Sequence, residues 1–204
     1  MRAIFVRHGQ STGNAGIPCP DLSLMELTEL GKKQARQIAK TWTESPSLIV
    51  TSPYLRTQQT AEPTVKRFKN IPVEVWPIQE FTYLQPLRWN GTRSIERRLY
   101  LGAYWQTADP EYCDGPGAES FAALLRRTEA ALFRLEALPD DALVYVFSHG
   151  QFMQALRSTV TDNGTTDKQK MDFFTHSIGT PAISNAERMF LSRKNGRWGH
   201  GLDA

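Results

Sequence analysis

Five side chains of this sequence have the types and positions needed to act on an anionic ligand: Arg7, His8, Arg56, Glu80 and His149. Guanidinium groups form paired, charge-assisted hydrogen bonds with the oxygens of a dianionic phosphate. Imidazoles act as nucleophiles or exchange protons near neutral pH, and a carboxyl group serves as a general acid or base. A single loop histidine or arginine is more often structural, so the prediction depends on the whole set meeting in one place. The ligand that this set predicts is a phosphoryl group.

Each of these side chains follows closely on a short apolar run, which predicts the elements that position it. The four runs are Ala3 to Val6, Leu48 to Thr51, Val73 to Trp76 and Leu143 to Phe147. Their near-continuous apolar character is typical of parallel strands covered on both faces. Longer stretches of helical periodicity alternate with them, so we expect a three-layer α/β/α sandwich with a mostly parallel central sheet. Ligands of such sheets bind beyond the carboxyl ends of the strands, where the five side chains should meet.

Two apolar stripes with helical spacing predict helices that pack on this sheet. The first stripe consists of Ala35, Ile38, Ala39 and Trp42, and the second of Phe121, Leu124, Leu125, Thr128, Leu132 and Leu135. Thr28 predicts one capped helix start. Ser52 followed by Pro53 predicts another, in which the serine caps and the proline takes the first helical position. Near the carboxyl terminus, Asn195-Gly196 predicts the turn of a closing hairpin.

The segment 83–118 differs in composition from the rest of the single predicted domain, residues 1–204. It is rich in proline, glycine and aromatic residues, and we expect an insertion that covers the active face. In one interpretation its side chains contact the rest of the ligand or form a lid, through Arg88, Trp89, Arg93, Arg97, Arg98 and Trp105. In the other, which we favour, the arginines face water and the tryptophans belong to the core. Tyr83 is the residue expected to form a wall of the pocket.

Composition and charge exclude several classes of protein. With 204 residues, 40% of them apolar and 22% charged, the chain is long enough to bury a core and too apolar to be disordered. The net charge is +3 and the basic residues are scattered, so we expect no nucleic-acid partner. We expect a cytoplasmic monomer or homodimer whose partner is a small phosphorylated molecule.

Cysteine and acidic residues point away from metal chemistry. Cys19 and Cys113 are far apart in the sequence, which predicts two free thiols rather than a disulfide or a zinc cluster. The aspartates lie in turn-like contexts and do not cluster as metal ligands do, so we expect neither a metal nor another cofactor. No stretch approaches membrane-spanning length, and we expect no membrane partner.

Five motifs, in a fixed order, resemble those of one known family. Residues 7–11 read R-H-G-Q-S, with Asn14 a few residues on; residues 27–35 fit L-T-x-x-G-x-x-Q-A; residues 52–61 fit S-P-x-x-R-x-x-x-T-A; residues 117–121 resemble G-E-S-F with one alanine added; and residues 148–150 read S-H-G. In these motifs the sequence is similar to the histidine phosphatase and phosphoglycerate mutase superfamily, over residues 1–150 at least. The resemblance implies a phosphoglycerate mutase-like fold.

The resemblance also implies a role for each matching position. His8 matches the nucleophile, which forms a transient phosphohistidine. Glu80 matches the general acid that protonates the leaving alkoxide and then, as a base, activates water. Arg7 and Arg56 match the catalytic pair that neutralises the non-bridging oxygens, and His149 matches the second catalytic histidine, which donates to the same phosphoryl group. These three and the remaining matching positions bind the phosphoryl group or the substrate, and the remaining ones are Gln10, Ser11, Asn14 and Gly150.

Three functions are compatible with these motifs. The first is metal-independent hydrolysis of a small phosphomonoester, in which water resolves the phosphohistidine. The second is a mutase, which returns the phosphoryl group to a bound product and keeps water out. Residues 81–86, F-T-Y-L-Q-P, depart from the mutase-like pattern and weaken this second alternative. The third is non-catalytic binding of a phosphorylated ligand, which fits least because the nucleophile, the cations and the acid are all present.

Overall fold

The elements of the protein are seen in a computed structural model that describes residues 1–106, 108–161, 164–177 and 183–202. The strands are β1 (Arg2–Arg7), β2 (Leu48–Thr51), β3 (Val73–Val75), β4 (Leu143–Ser148), β5 (Arg188–Lys194) and β6 (Arg197–Leu202). The helices are α1 (Glu29–Thr41), α2 (Leu55–Arg67), α3 (Pro86–Trp89), α4 (Ser94–Gln106), α5 (Phe121–Glu136), α6 (Gly150–Val160) and α7 (Asp167–Ser177), with a short 3₁₀ helix at Leu22–Leu24.

The strands form one sheet in the order β3-β2-β4-β1-β5-β6. The first four strands in this order pair in parallel, whereas β5 and β6 add antiparallel pairs at one edge. Arg7 pairs with Ser148 and Thr51 pairs with Phe147, so the carboxyl ends of β1, β2 and β4 lie side by side. The predicted mostly parallel sheet is confirmed.

Apolar side chains on both faces of the sheet explain why helices cover it on two sides. Phe5 of β1 belongs to a core cluster that includes buried residues of α5, α6 and α7. Its neighbour Val6 points to the opposite face, as alternation along a strand requires, and belongs to a second cluster with residues of α1 and α2. Both predicted stripes are buried in α1 and α5 and at their ends. The three-layer α/β/α sandwich is confirmed.

One strand departs from the expected burial. Val73 and Val75 of β3 are 46% and 58% exposed, because β3 lies at the edge of the sheet. The expectation of a strand covered on both faces was therefore wrong for this run. Trp76, expected to end the strand, lies just beyond it and is buried.

Of the two predicted helix starts, one is confirmed and one is wrong. Thr28 caps α1, since its Oγ1 accepts a hydrogen bond from the Gly31 amide at 3.2 Å. The helix α2 begins at Leu55, and Tyr54 rather than Ser52 occupies the cap position. The Ser52 hydroxyl instead lies 2.7 Å from Nε2 of His149. The same oxygen accepts from the backbone amide of Tyr54 at 3.2 Å, so Ser52 has a local contact in the turn before the helix as well as a distant one.

The closing hairpin is confirmed. Strands β5 and β6 pair in antiparallel fashion up to Lys194 and Arg197, with Asn195 and Gly196 between them. Asn195 has φ of 51° and Gly196 has φ of 75°. Two successive positive φ angles are typical of the tight turns that match the twist of a hairpin.

Aromatic residues of the segment 83–118 pack into the core, as the structural interpretation predicts. Trp89 and Tyr104 are buried, and the ring centroid of Trp105 lies 5.7 Å from that of Phe174 in α7. The aromatic rings therefore join this segment to the main body of the protein.

The arginines of this segment have different environments. Arg88 and Arg93 are exposed, as expected, whereas Arg97 is half-buried and lines the cavity described below. The side chain of Arg98 lies outside the described residues.

The sequence also predicts two free thiols and no membrane-spanning segment. Cys19 and Cys113 are both free thiols. Across the described ranges of the chain, none of the helices combines the length and the apolar character needed to cross a bilayer.

Candidate active site

Residues that follow β1 and β3, together with residues of α2, line one cavity of about 340 Å³. Its walls include four of the five side chains expected to meet: Arg7, His8, Arg56 and Glu80. The fifth, His149, is fully buried and packs edge-on against His8, with ring centroids 5.1 Å apart. The fold therefore brings together five residues that come from separate segments.

His8 is held with one nitrogen ready to react. Its Nδ1 lies 2.7 Å from the carbonyl oxygen of Gly9, and its Nε2 accepts a hydrogen bond from Nε of Arg56 at 3.1 Å. Because a carbonyl oxygen only accepts, Nδ1 carries the proton and Nε2 keeps its lone pair. Burial, reinforced by the charges of Arg56 and Arg7, lowers the pKa of His8 well below its usual value. The imidazole is thus neutral near pH 7, as a nucleophile must be.

Two glycines let the loop after β1 lie against the start of α1. A Cβ on Gly9 would lie 2.6 Å from the carbonyl oxygen of Gly31, and a Cβ on Gly31 would lie 2.1 Å from that of Gln10. Both distances are shorter than van der Waals contact permits, and the obstructing atoms are backbone. These two positions explain the glycines of the first and second motifs.

Arg56 connects the two histidines. Its Nη2 lies 3.0 Å from Nδ1 of His149, its Nε donates to His8, and its Nη1 donates to the carbonyl oxygen of Leu22 at 2.7 Å. The guanidinium is also stacked on Tyr54, 4.8 Å from the ring centroid. These contacts hold the guanidinium beside both imidazoles, so that only its donor to His8 has to change partner when an anion enters.

His149 accepts from Arg56 and donates away from the cavity. Since Arg56 can only donate, Nδ1 of His149 accepts this hydrogen bond and Nε2 carries the proton. The Nε2–H group donates a hydrogen bond to the Ser52 hydroxyl. Burial, followed by the charge of Arg56, lowers the pKa of His149 well below its usual value. Arg56 therefore fixes the tautomer of this ring, and the Ser52 hydroxyl accepts from its Nε2.

Arg7 retains an unused donor. Its Nη1 donates to the carbonyl oxygen of Ile183, while its buried Nε has no hydrogen-bond partner in the described part of the chain. A Cβ on Gly150 would lie 3.2 Å from this Nε. Gly150 does not line the cavity, its small size leaves room for Arg7, and its contact with a ligand stays a prediction.

Asn14 lines the cavity with its amide orientation set by neighbours. Its Oδ1 accepts from the amide and the hydroxyl of Ser11, at 3.1 and 3.0 Å, and from Nδ2 of Asn185 at 3.2 Å. The oxygen is thus occupied, which leaves the Nδ2 group of Asn14 as the donor available to a phosphate oxygen. Ser11 is buried at the cavity wall and serves this orientation.

Asn185 was missed by the sequence reasoning. Its Nδ2 also donates to the backbone oxygen of His8 at 3.0 Å, so it joins the loop after β1 to the chain before β5. Its neighbour Ala186 donates from its amide to the Arg7 oxygen at 3.0 Å. No motif or strand end marks this position, and only the pairing of β5 with β1 brings it to the site.

Glu80 uses one carboxylate oxygen for structure and keeps the other. Its Oε1 accepts from the backbone amides of Phe81, Gln151 and Phe152, at 3.2, 3.0 and 3.3 Å. Two of these amides belong to the first turn of α6, which anchors the side chain at that helix start. Within the described residues, Oε2 has no hydrogen-bond partner and remains free for proton transfer.

Two other predicted residues have contrasting positions. Gln10 does not line the cavity, because its Oε1 accepts from the hydroxyl of Thr28 at 2.8 Å. The ligand contact of its side chain stays a prediction. Tyr83 does line the cavity, and burial raises its pKa to about 12, so it stays a neutral phenol.

In the part of the chain that the structure describes, no three or more His, Cys, Asp or Glu side chains come close enough to form a group that could hold a metal ion.

The two buried histidines predict how stability depends on pH. Because their folded-state pKa values lie below the unfolded value of about 6.5, the unfolded chain binds more protons at acidic pH. The contribution of the two histidines to the free energy of unfolding is therefore fully present above about pH 6.5 and decreases as the pH falls below it. Urea denaturation at pH 7.5 and pH 5 measures this, alongside imidazole NMR. If the free energy of unfolding were equal at pH 7.5 and pH 5, and if either imidazole titrated near 6.5, the burial described above would be contradicted.

Comparisons with known proteins agree with this geometry. The sequence matches the model of the histidine phosphatase superfamily (branch 1) over residues 3–193. A probable phosphoglycerate mutase, GpmB, of Yersinia enterocolitica is 30% identical over 164 residues, which are 78% of this chain and 74% of that protein. A metal-independent phosphoserine phosphatase of Arabidopsis thaliana is 29% identical over 170 residues, which are 81% of this chain and 71% of that protein.

The fold also matches solved structures. A mycobacterial glucosyl-3-phosphoglycerate phosphatase, solved in complex with VO3, has a TM-score of 0.75 at 23% identity, over 98% of this chain and 97% of that one. At 23% identity this likeness shows the fold alone. The family is shown by the match of residues 3–193 to the family model. The chain belongs to the histidine phosphatase superfamily, branch 1.

Proposed function

We propose that this protein is a metal-independent phosphomonoesterase that acts through a phosphohistidine on His8. The observation that carries the proposal is the state of that ring, which is buried, neutral and fixed with its Nε2 lone pair toward Arg56 in a cationic cavity. The metal-independent phosphatase among its relatives supports the same activity.

The first half-reaction transfers the phosphoryl group to the protein. Arg7, Arg56 and the Asn14 amide bind its oxygens, and the Nε of Arg56 turns from His8 to the phosphate. Nε2 of His8 then attacks phosphorus, and a P–N bond forms as the P–O bond to the leaving group breaks. Glu80 donates a proton from Oε2 to the departing oxygen.

The second half-reaction releases inorganic phosphate. Glu80 takes a proton from a water molecule, whose oxygen attacks phosphorus. The P–N bond breaks, and its electron pair returns to Nε2 of His8. The cations again hold the non-bridging oxygens, and His149, packed against the ring of His8, keeps Arg56 in place beside them.

Phosphate release in the presence of a chelator tests this function. Wild-type protein should release inorganic phosphate from a panel of small phosphomonoesters in EDTA, and His8→Ala should not. Activity that is lost in EDTA and restored by a divalent cation would contradict the proposal. So would equal phosphate release by the wild type and His8→Ala.

A mutase is the second candidate, because the Yersinia relative is a probable phosphoglycerate mutase. A mutase would move the phosphoryl group between two positions of a sugar acid, primed by a bisphosphate, with little inorganic phosphate released. We favour the hydrolase because residues 81–86 depart from the mutase-like pattern. Product analysis of the same reactions distinguishes the two.

We also propose that residues 1–204 form one domain, with the segment 83–118 as the side of the cavity that faces the leaving group. The cavity lining includes four residues of this segment, which supports that role: Tyr83, Leu84, Pro86 and Trp89.

The two free thiols support a reducing compartment such as the cytoplasm.

Arg56→Ala should lower kcat/KM by about 100-fold to 1,000-fold, the usual effect of losing one preorganised donor. The variant also loses the contacts that Arg56 makes with both histidines. Arg36→Ala, which removes an exposed arginine from α1, is the matched control and should have wild-type kinetics. Circular dichroism verifies that both variants fold. A folded Arg56→Ala protein with near-normal turnover would refute the phosphate-binding role.

A further inference from the structure

Two buried hydroxyl groups lie behind the active-site cavity without lining it. Ser52 follows β2 and Thr57 lies in the first turn of α2, and both side chains are fully buried. The Ser52 hydroxyl lies 2.7 Å from Nε2 of His149 and 2.7 Å from Oγ1 of Thr57. The imidazole and the two hydroxyls therefore form a continuous chain of hydrogen bonds.

The position of each proton in this chain follows from its partners. The single hydroxyl proton of Thr57 faces two carbonyl oxygens, that of Tyr54 at 2.6 Å and that of Ser52 at 3.3 Å, and a carbonyl can only accept. The Thr57 oxygen is thus left to accept from the Ser52 hydroxyl. The Ser52 oxygen accepts from the backbone amide of Tyr54 at 3.2 Å and from Nε2 of His149. The chain therefore runs in one direction, from the imidazole through the two hydroxyls to the backbone just before α2.

This direction has a consequence for the other nitrogen of the imidazole. Nδ1 of His149 lies 3.0 Å from Nη2 of Arg56, and it can accept from this guanidinium only while Nε2 holds the proton. A buried Nε2–H group needs an acceptor, and among the described residues the Ser52 oxygen is that acceptor. An acceptor at one nitrogen of an imidazole also makes the other nitrogen more basic, as it does for metal-bound histidines. Ser52 therefore strengthens the contact between His149 and Arg56.

We propose that Ser52 and Thr57 are positioning residues for phosphoryl transfer. Their hydroxyls hold the imidazole of His149 with its Nδ1 lone pair toward Arg56, so that the guanidinium stays in place when the phosphoryl group arrives. The inference rests on the proposed function, because it concerns a cation that binds this group. It assigns a role in the reaction to two side chains that do not line the cavity.

Loss of either hydroxyl should lower kcat/KM for a simple substrate such as phenyl phosphate. In Ser52→Ala the buried Nε2–H group loses its acceptor, and we expect a fall of about 10-fold to 100-fold, the scale for a misplaced catalytic group. Thr57→Val keeps the shape of the side chain but removes the acceptor that orients the Ser52 proton. Here we expect a fall of about 3-fold to 10-fold, the scale for one hydrogen bond.

Matched variants separate positioning from packing. Thr57→Ser keeps the hydroxyl, and its kcat/KM should stay within about twofold of the wild-type value. Thr128 of α5 has equivalent contacts far along the chain, since its hydroxyl donates to the Leu125 carbonyl at 2.7 Å and lies 2.7 Å from the Thr159 hydroxyl. Thr128→Val should therefore keep wild-type kcat/KM. Ser52→Cys keeps a weak sulfur acceptor, and its kcat/KM should lie between those of Ser52→Ala and the wild type.

Two further measurements show whether the hydroxyls act as one chain. In the double variant Ser52→Ala/Thr57→Val, kcat/KM should stay within about twofold of Ser52→Ala, because Thr57 then has no hydroxyl to orient. In proton NMR near neutral pH, the Nε2–H resonance of His149 should move upfield in Thr57→Val, because its hydrogen bond is weaker. The same resonance should not move in Thr128→Val.

Failure of the inference is distinct from failure of the proposed function. A kcat/KM of Ser52→Ala within about twofold of the wild type, or losses that multiply in the double variant, would overturn the positioning role while hydrolysis still depends on His8. Equal losses in Thr57→Val and Thr128→Val, or an Nε2–H resonance that Thr57→Val leaves unchanged, would overturn it as well. Failure of the function would appear as phenyl phosphate hydrolysis that does not depend on His8.

Discussion

Replacement of His8 by alanine is expected to lower kcat by at least about 1,000-fold for every phosphomonoester that the wild type hydrolyses. The reason is that two neutral, buried imidazoles contact Arg56 among the described residues, and of these His8 lines the cavity whereas His149 does not. Loss of a nucleophile removes the covalent route altogether, and the remaining cations can only assist direct attack by water.

Three controls separate chemistry from folding in this test. His8→Asn keeps a polar group of similar reach and should be as inactive as His8→Ala. His200→Ala removes an exposed histidine of β6 and should keep wild-type kcat. Thermal unfolding monitors the fold of each variant. A folded His8→Ala protein that retains a tenth of the wild-type kcat would exclude His8 as the nucleophile.

Replacement of Glu80 by glutamine is expected to lower kcat by about 100-fold to 10,000-fold for alkyl phosphates, which need a proton on the leaving oxygen. The amide oxygen of glutamine can still accept from the backbone at the start of α6, so the side chain keeps its anchor. Only the proton on the second oxygen is lost, and the effect is therefore chemical rather than structural.

The leaving group distinguishes this role from others. A nitrophenolate departs without protonation, so phosphoryl transfer from 4-nitrophenyl phosphate to Glu80→Gln should be much less impaired. Glu62→Gln, an exposed change on α2, is the control. An equal loss for alkyl and nitrophenyl esters in rapid-mixing measurements of the first step would show that Glu80 is not the acid.

Much of the fold could be predicted from the sequence because the signals are local and repeated. The apolar runs that form β1, β2 and β4 are followed by Arg7, Ser52 and His149. Parallel pairing of these strands then places the three residues at adjacent strand ends. The run at Val73 carried the same signal but lies at an edge, and burial depends on neighbours that the run itself does not encode.

Parts of the site were not predictable because they depend on long-range partners. Ser52 has the sequence context of a cap, yet its hydroxyl binds His149. Gln10 lies next to the reactive loop, yet its amide binds Thr28. Asn185 has no local signal at all and contacts His8 only because β5 pairs with β1.

A trapped phosphoenzyme tests the central claim most directly. Glu80→Gln is mixed with 4-nitrophenyl phosphate for a few milliseconds and denatured in alkali, which preserves a phosphoramidate. Mass spectrometry and phosphorus NMR should then find phosphate on His8, bonded to Nε2 and lost on acid treatment. A burst of nitrophenolate with phosphate on any other residue, or turnover with no phosphorylated protein at any time point, would contradict the account.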